Sequence, residues 1–186
     1  IRDRAAYFAS LPISSRVAEE LPWQLERTGE SHKLAECLMD QQMFIALQQR
    51  DEFELLGYWV RLGVNAEEAY AKVWKKWHLR GGKATGVANQ LAGFLMMAGY
   101  YGAFTEQLLR LCMNQLKKEL GPKHTDYLAC LNNLGNLMHK QGNDAGAEAM
   151  LRMSLKGNEK AFGREHPETL EVINNLGVVL KGMGNE

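Results

Sequence analysis

A chain that repeats itself at a fixed period folds as a stack of like units, so the internal repeat limits this sequence more than any other feature. Gly121-Pro-Lys-His124 returns as Gly163-Arg-Glu-His166, Leu131-Asn-Asn-Leu-Gly135 as Ile173-Asn-Asn-Leu-Gly177, and Gly142-Asn143 as Gly184-Asn185, each at an offset of 42 residues. A fainter upstream copy aligns Asn89-Gln-Leu-Ala92 with Asn132-Asn-Leu-Gly135, and Gly99 with Gly142, at an offset of 43. Within a copy the apolar residues keep a helical period, as Tyr127, Leu131, Leu134 and Met138 do, and no alternating strand pattern competes. Each copy therefore reads helix, turn, helix. Gly142 ends the first helix, Asn143 or Asp144 caps the second, Gly163 closes it, and Pro167 suits the first turn of the next. Gly135 and Gly177, with Ala147, remove side-chain bulk where paired helices must approach closely.

Leu-Asn-Asn-Leu-Gly, the run Gly142-Asn-Asp-Ala-Gly-Ala-Glu-Ala149 and Ala161-Phe-Gly-Arg-Glu-His-Pro-Glu-Thr-Leu170 resemble the tetratricopeptide repeats, specifically the longer 42-residue kind of kinesin light chains. The resemblance runs from about Val87 to the end of the chain. It implies an all-α fold: a right-handed solenoid of antiparallel helical hairpins over residues 79–186, with copies at about 84–121, 124–163 and 166–186. The last copy is truncated after its first helix, so further repeats are expected to follow it. Repeats of this type imply a protein–protein interaction scaffold or adaptor that holds a partner peptide or helix in a concave groove lined by the first helices.

Residues 1–78 contain no copy of the repeat and form a helical linker domain. Caps and breakers divide it into helices at 2–10, 15–28, 31–39, 41–49, 52–62 and 66–77. Ser14 or Ser15, Ser31, Asp40, Asp51 and Asn65 are the expected N-caps, and Gly29 and Gly63 the expected stops. The stretch Leu11 to Leu25, containing Glu20-Leu-Pro-Trp23, together with Leu38-Met-Asp40 and Phe53-Glu-Leu-Leu-Gly-Tyr-Trp59, resembles the segment between the nucleotide-binding module and the repeats of nephrocystin-3-like proteins. That resemblance implies an alternative function, the sensor arm of a nucleotide-driven switch whose NTPase module lies upstream of Ile1, and a ciliary setting. The opening Ile1-Arg-Asp-Arg4 lacks an initiator Met and a secretory pattern, and reads as a cut inside a longer protein. No phosphate-binding loop lies within the chain, because Gly81-Gly-Lys-Ala-Thr85 lacks the spaced glycines and the preceding strand.

Composition removes several function classes. No apolar run is long enough to span a bilayer. Cys37, Cys112 and Cys130 are odd in number and widely spaced, which argues for reduced core thiols in a cytoplasmic protein and against a disulfide framework or a metal site. Neighbouring carboxylates such as Glu19 and Glu20, or Glu67 and Glu68, splay to different sides of a helix. No serine or cysteine has a recognisable histidine partner, so no catalytic residue, enzymatic activity or cofactor is expected. The formal net charge is zero. It is unevenly spread: residues 1–68 carry 12 acidic and 7 basic side chains, 69–125 carry 2 and 9, and 126–186 carry 8 and 6. Lys72-Val-Trp-Lys-Lys-Trp-His-Leu-Arg80 lies in the basic part, but Val73, Trp74 and Trp77 share one helical face, which makes the tryptophans core and the lysines a solvated face rather than a nucleic-acid surface.

The partner-binding candidates come from the first helices. With about 100° per residue, Leu131, Leu134, Leu137 and Met138 point to the core, while Asn136 and His139 fall within about 40° of Asn132 on the opposite face. Ala129 and Lys140 flank that face, and the next copy places Asn174, Val178 and Lys181 there, with Glu171 beside them. In the fainter copy Asn89 is the equivalent, and Gly93 and Met96 replace polar residues. Amides suit a groove because each can grip a peptide backbone with donors and an acceptor, or else bond to an adjacent helix and hold the stack together. Asn133 and Asn175 point nearer the helix interface, where the second role fits them better. Lys140 and Lys181 attract acidic groups; the resemblance implies a ligand with acidic residues around an aromatic anchor.

Overall fold

The computed structural model describes residues 2–79 and 84–184; Arg80, Gly81, Gly82 and Lys83 of the basic stretch and Asn185 of the repeat match lie outside the described residues. The described residues form eleven helices and no strand. They are α1 (Arg2–Ala9), α2 (Ser15–Arg27), α3 (Ser31–Leu38), α4 (Gln41–Arg50), α5 (Glu52–Leu62), α6 (Ala66–Leu79), α7 (Ala84–Met97), α8 (Ala103–Glu119), α9 (Thr125–Lys140), α10 (Asp144–Phe162) and α11 (Pro167–Gly182). Two compact units result, Ile1–Gly82 and Lys83–Glu186.

In the first unit the helix starts follow the capping chemistry. Asp40 and Asp51 each accept two backbone N–H groups, from Gln42 and Met43 and from Phe53 and Glu54, and Ser14 and Asn65 accept from Val17 and Glu68. Ser31 departs from expectation. Gly29 takes φ +71, and the Gly29 and Glu30 N–H groups bond back to the Glu26 and Leu25 carbonyls, so the turn that ends α2 delivers Glu30 to the cap position and makes Ser31 the first helical residue. The core is aromatic. Phe44, Trp59, Trp77 and Tyr70 pack with ring centroids 5.3–5.6 Å from Tyr70 or Phe44. The Tyr70 hydroxyl accepts from Trp59 Nε1 and donates to the Leu38 carbonyl, both at 3.1 Å, and Trp77 Nε1 donates to the Met39 carbonyl at 3.1 Å. Trp59, Tyr70 and Trp77 thus bury their apolar bodies and satisfy their polar tips. Trp74 and Trp77 are each 7% exposed, so their faces belong to the core, as their helical spacing predicts.

The second unit is a stack of antiparallel hairpins in which α7 packs on α8, α8 on α9, α9 on α10 and α10 on α11, while the first helices of successive repeats, α7, α9 and α11, also meet directly. Gly142 has φ +81, and the N–H groups of Gly142 and Asn143 bond to the carbonyls of His139 and Met138. The fainter copy keeps the same turn, with Gly99 and Tyr100 bonded to Met96 and Leu95. Asn143 then caps α10 by accepting from Gly146 N at 3.0 Å. His124 and His166, visible in the sequence only as repeat markers, cap α9 and α11: their Nδ1 atoms accept from Asp126 N at 3.2 Å and Glu168 N at 3.3 Å. An imidazole acceptor here does the work usually given to Ser or Asp.

The two repeat glycines are not equivalent. A Cβ on Gly135 would lie 2.7 Å from Leu151 Cγ and 3.3 Å from the Ala147 carbonyl oxygen, so this glycine is required by the approach of α10. A Cβ on Gly177 would meet nothing within 4 Å; the second helix of its repeat is not among the described residues. In this chain an added side chain should therefore have opposite signs at the two positions. Gly135→Val is expected to destabilise the chain by about 1–3 kcal/mol through overpacking, and Gly177→Ala to stabilise it by about 0.5–1 kcal/mol through helix propensity. Urea unfolding of the two variants against wild type measures both; a loss at Gly177 equal to that at Gly135 contradicts the assignment.

Candidate functional site

The first helices α7, α9 and α11 carry every candidate residue. Asn132 is only 5% exposed: its Nδ2 donates to Glu171 Oε1 and its Oδ1 accepts from Asn175 Nδ2, both at 3.0 Å. Both ends of the amide are engaged by α11, so Asn132 braces repeat 2 against repeat 3 instead of presenting its side chain to a ligand. Helix periodicity gives the direction of a side chain but not the neighbour that meets it, and the neighbour decided the role. Asn175 has the interface role its angle predicts. Asn136 and His139 are half-buried. His139 Nδ1 lies 2.6 Å from Asp144 Oδ1, a hydrogen bond that ties the end of α9 to the start of α10. Lys140, Asn174 and Lys181 are exposed, and Val178 is 53% exposed.

On α7, Asn89 is half-buried, with its Oδ1 enclosed and without a hydrogen-bond partner. By the repeat, the rung Asn175–Asn132 would recur as Asn133–Asn89, and it is not formed. Gly93 beside it is exposed and Met96 half-buried. A different tie joins repeats 1 and 2: Gln141 Nε2 donates to the Tyr101 carbonyl at 3.0 Å and to Glu106 Oε2 at 3.3 Å. Arg110, and after it Gln141, holds the Glu106 carboxyl below the usual range against the opposing effect of burial. Nothing in the sequence marked Gln141, since its partners lie 35 and 40 residues away.

What remains open on α9 and α11 is a strip of Asn136, Lys140, Asn174, Val178 and Lys181, with Glu171 fixed at one side by Asn132. Two cations, two amides and one apolar side chain suit recognition better than bond-making. The cysteines supply no nucleophile. Cys112 and Cys130 are buried and donate to the Thr85 and Leu109 carbonyls at 3.3 Å, the hydrogen bond with Cys130 and then burial raising the Cys112 thiol far above its ordinary range. Burial, and then Asp40, pushes Cys37 up to about 12. Among the described residues no group of three or more His, Cys, Asp or Glu side chains could hold a metal ion, and no helix is long and apolar enough to cross a membrane. A cavity of about 370 Å³ in the first unit is lined by Ala5, Ala6, Ala9 and Leu25, and its charged lining residues Glu30 and Lys33 pair with each other.

The brace generates a measurable coupling. In a double-mutant cycle, Asn132→Ala and Asn175→Ala are expected to be non-additive by about 0.5–1.5 kcal/mol, the net worth of one partly buried hydrogen bond. Additive losses in thermal or urea unfolding would remove the brace from the description.

Residues 128–168, from α9 through α10 into α11, match the tetratricopeptide repeat family. A crystal structure of BtubC (BKLC) from P. vanneervenii superposes with a TM-score of 0.55 at 16% identity, over 89% of this chain. At that identity the likeness shows the fold alone, and this chain spans 66% of that one. No curated protein matches the chain by sequence. The family match lies wholly in the second unit, where residues 128–168 form a hairpin of the tetratricopeptide-repeat kind, and it does not bear on residues 1–78.

Proposed function

We propose that the second unit is a scaffold whose first helices hold an extended peptide or a helix of a partner protein along the strip Asn136, Lys140, Asn174, Val178 and Lys181. The observation that carries this is that Asn136 and Lys140, on the groove face of α9, stay half-exposed and exposed although α11 stacks beside them, and Asn174, Val178 and Lys181 hold the matching face of α11. A free amide can grip a peptide backbone, since it offers two donors and an acceptor without demanding a particular side chain. Val178 offers an apolar seat, and Lys140 and Lys181 add a positive field that favours acidic ligand groups. The braces at Asn132 and His139 matter indirectly, by fixing α9, α10 and α11 before a ligand arrives, which lowers the ordering cost of binding. Asn89, enclosed and on the fainter copy, contributes less.

The ligand class favoured is an acidic peptide with an aromatic anchor, the aromatic ring on Val178 and the carboxylates toward the lysines. Fluorescence anisotropy with a labelled peptide of this type tests it. Asn174→Ala/Lys181→Ala is expected to weaken binding by about tenfold, roughly 1.4 kcal/mol, with helicity unchanged and with affinity falling as salt rises. Equal affinity for wild type and the double variant, with intact helicity, refutes the assignment of this strip.

A further inference from the structure

We propose that the first unit carries a binding site for an arginine side chain of a partner protein, in a cleft of about 260 Å³ where α2, the end of α4 and the start of α5 meet. The cleft is lined by Glu19, Glu20 and Trp23 of α2, Arg50 of α4 and Glu54 of α5. Each of these helices is preceded and followed by another described helix. The site is distinct from the strip on α9 and α11 and stands or falls without it.

Three carboxylates share one guanidinium in this cleft. Arg50 Nη1 lies 3.1 Å from Glu54 Oε2 and its Nη2 3.7 Å from Glu19 Oε1, and the buried Tyr58 hydroxyl donates to Glu54 Oε1 at 3.1 Å. Glu54 is therefore satisfied, while Glu19 has only a long ion pair. Glu20 pairs with no cation: half-buried, it accepts from Gln24 Nε2 at 3.4 Å and makes no other bond among the described residues. Gln24 is 1% exposed, with its amide end against that carboxylate and its Oε1 enclosed without a partner. Buried or half-buried oxygens of this kind are normally met by donors. Arg16, which lines the neighbouring cleft with Glu20, does not supply them, since its guanidinium lies over the Phe8 ring.

The deficit calls for a cation with several N–H donors, and Trp23 selects the guanidinium. At about 100° per residue along α2, Trp23 projects between Glu19 and Glu20, about 40° from the one and about 60° from the other. The ring is 42% exposed. A planar guanidinium laid on it can donate to both carboxylates at once, whereas a lysine ammonium is a compact charge without the fork. The chain already shows that this ring takes such a group: the Arg27 guanidinium lies over it at 4.7 Å from the centroid, and Arg27 is not part of the cleft. The excess of acidic side chains in residues 1–68, 12 against 7 basic, adds a field that draws a basic partner toward this unit.

The probe is an end-capped glycine peptide with one central arginine, titrated into the full chain and read from the indole N–H resonance of Trp23, the most exposed of the four tryptophans. A saturable shift is expected. Citrulline in place of the arginine keeps the shape and removes the charge, and should weaken binding at least about tenfold; lysine should weaken it about threefold. In the chain, Glu20→Gln should weaken binding about fivefold with helicity unchanged. Glu36→Gln, which removes an exposed carboxylate of α3 outside the cleft, should leave binding as it is. No saturable shift or equal binding of the citrulline peptide, both read on the unaltered chain, overturns the proposal. So does a Glu20→Gln chain that binds like wild type, or one that loses no more than Glu36→Gln. Equal binding of the lysine peptide overturns the choice of a guanidinium.

Discussion

The approach of α10 to α9 over Gly135 is the contact on which the second unit depends. With no side chain at that position, Leu151 can enter the groove of α9 and the Ala147 backbone can come within van der Waals reach. Every other contact of the hairpin follows from that separation. Leu128 reaches Gly157, Met138 reaches Gly146, and Ser154 bonds the Leu128 carbonyl only because the helices are this close. Tyr127, Leu128 and Leu131 of α9 form a buried cluster with Met113 and Leu116 of α8 and Met150 of α10, so the same helix joins its own hairpin to the preceding one.

Between repeats the stack is held by sparse polar ties laid over apolar packing. The Asn132 amide spans α9 and α11, and Gln141 spans the end of α9 and the start of α8. These ties differ from one junction to the next even though the apolar framework repeats. A large part of the stability of a solenoid comes from nearest-neighbour interfaces, and the polar residues at those interfaces set the angle and register of each step. That division explains why the faint first copy keeps its turn at Gly99 yet lacks the asparagine rung, leaving the Asn89 oxygen enclosed and unsatisfied.

The first unit solves its packing differently. It has no repeat, and it uses large aromatic residues whose polar tips close onto helix ends: Trp77 onto Met39 and Tyr70 onto Leu38, at the junction of α3 and α4. Those carbonyls are left without helical partners where the chain turns, and the ring N–H and hydroxyl satisfy them. Surface pairs such as Arg61 with Glu26 add little beside this, being largely solvated.

The sequence by itself determined the helical class, the helix boundaries of the first unit to within about two residues, the caps at Asp40, Asp51 and Asn65, and the 42-residue hairpin repeat, and it narrowed two further caps to Ser14 or Ser15 and Asn143 or Asp144. These are local: a cap, a left-handed glycine or a helical period depends on residues within one or two turns, all of which a reader of the chain can see. Ser31 failed because the turn closing the preceding helix claimed its place, still a local matter but one of geometry. Tertiary structure alone decided which asparagine is a brace and that Gln141 ties two repeats together. Asn132 and Asn89 occupy the same place in the repeat and their identities cannot tell them apart, yet α11 engages both ends of the Asn132 amide while the Asn89 oxygen is enclosed and unsatisfied. What differs is the neighbouring helix, and a side chain's role in a stack is fixed by what packs against it.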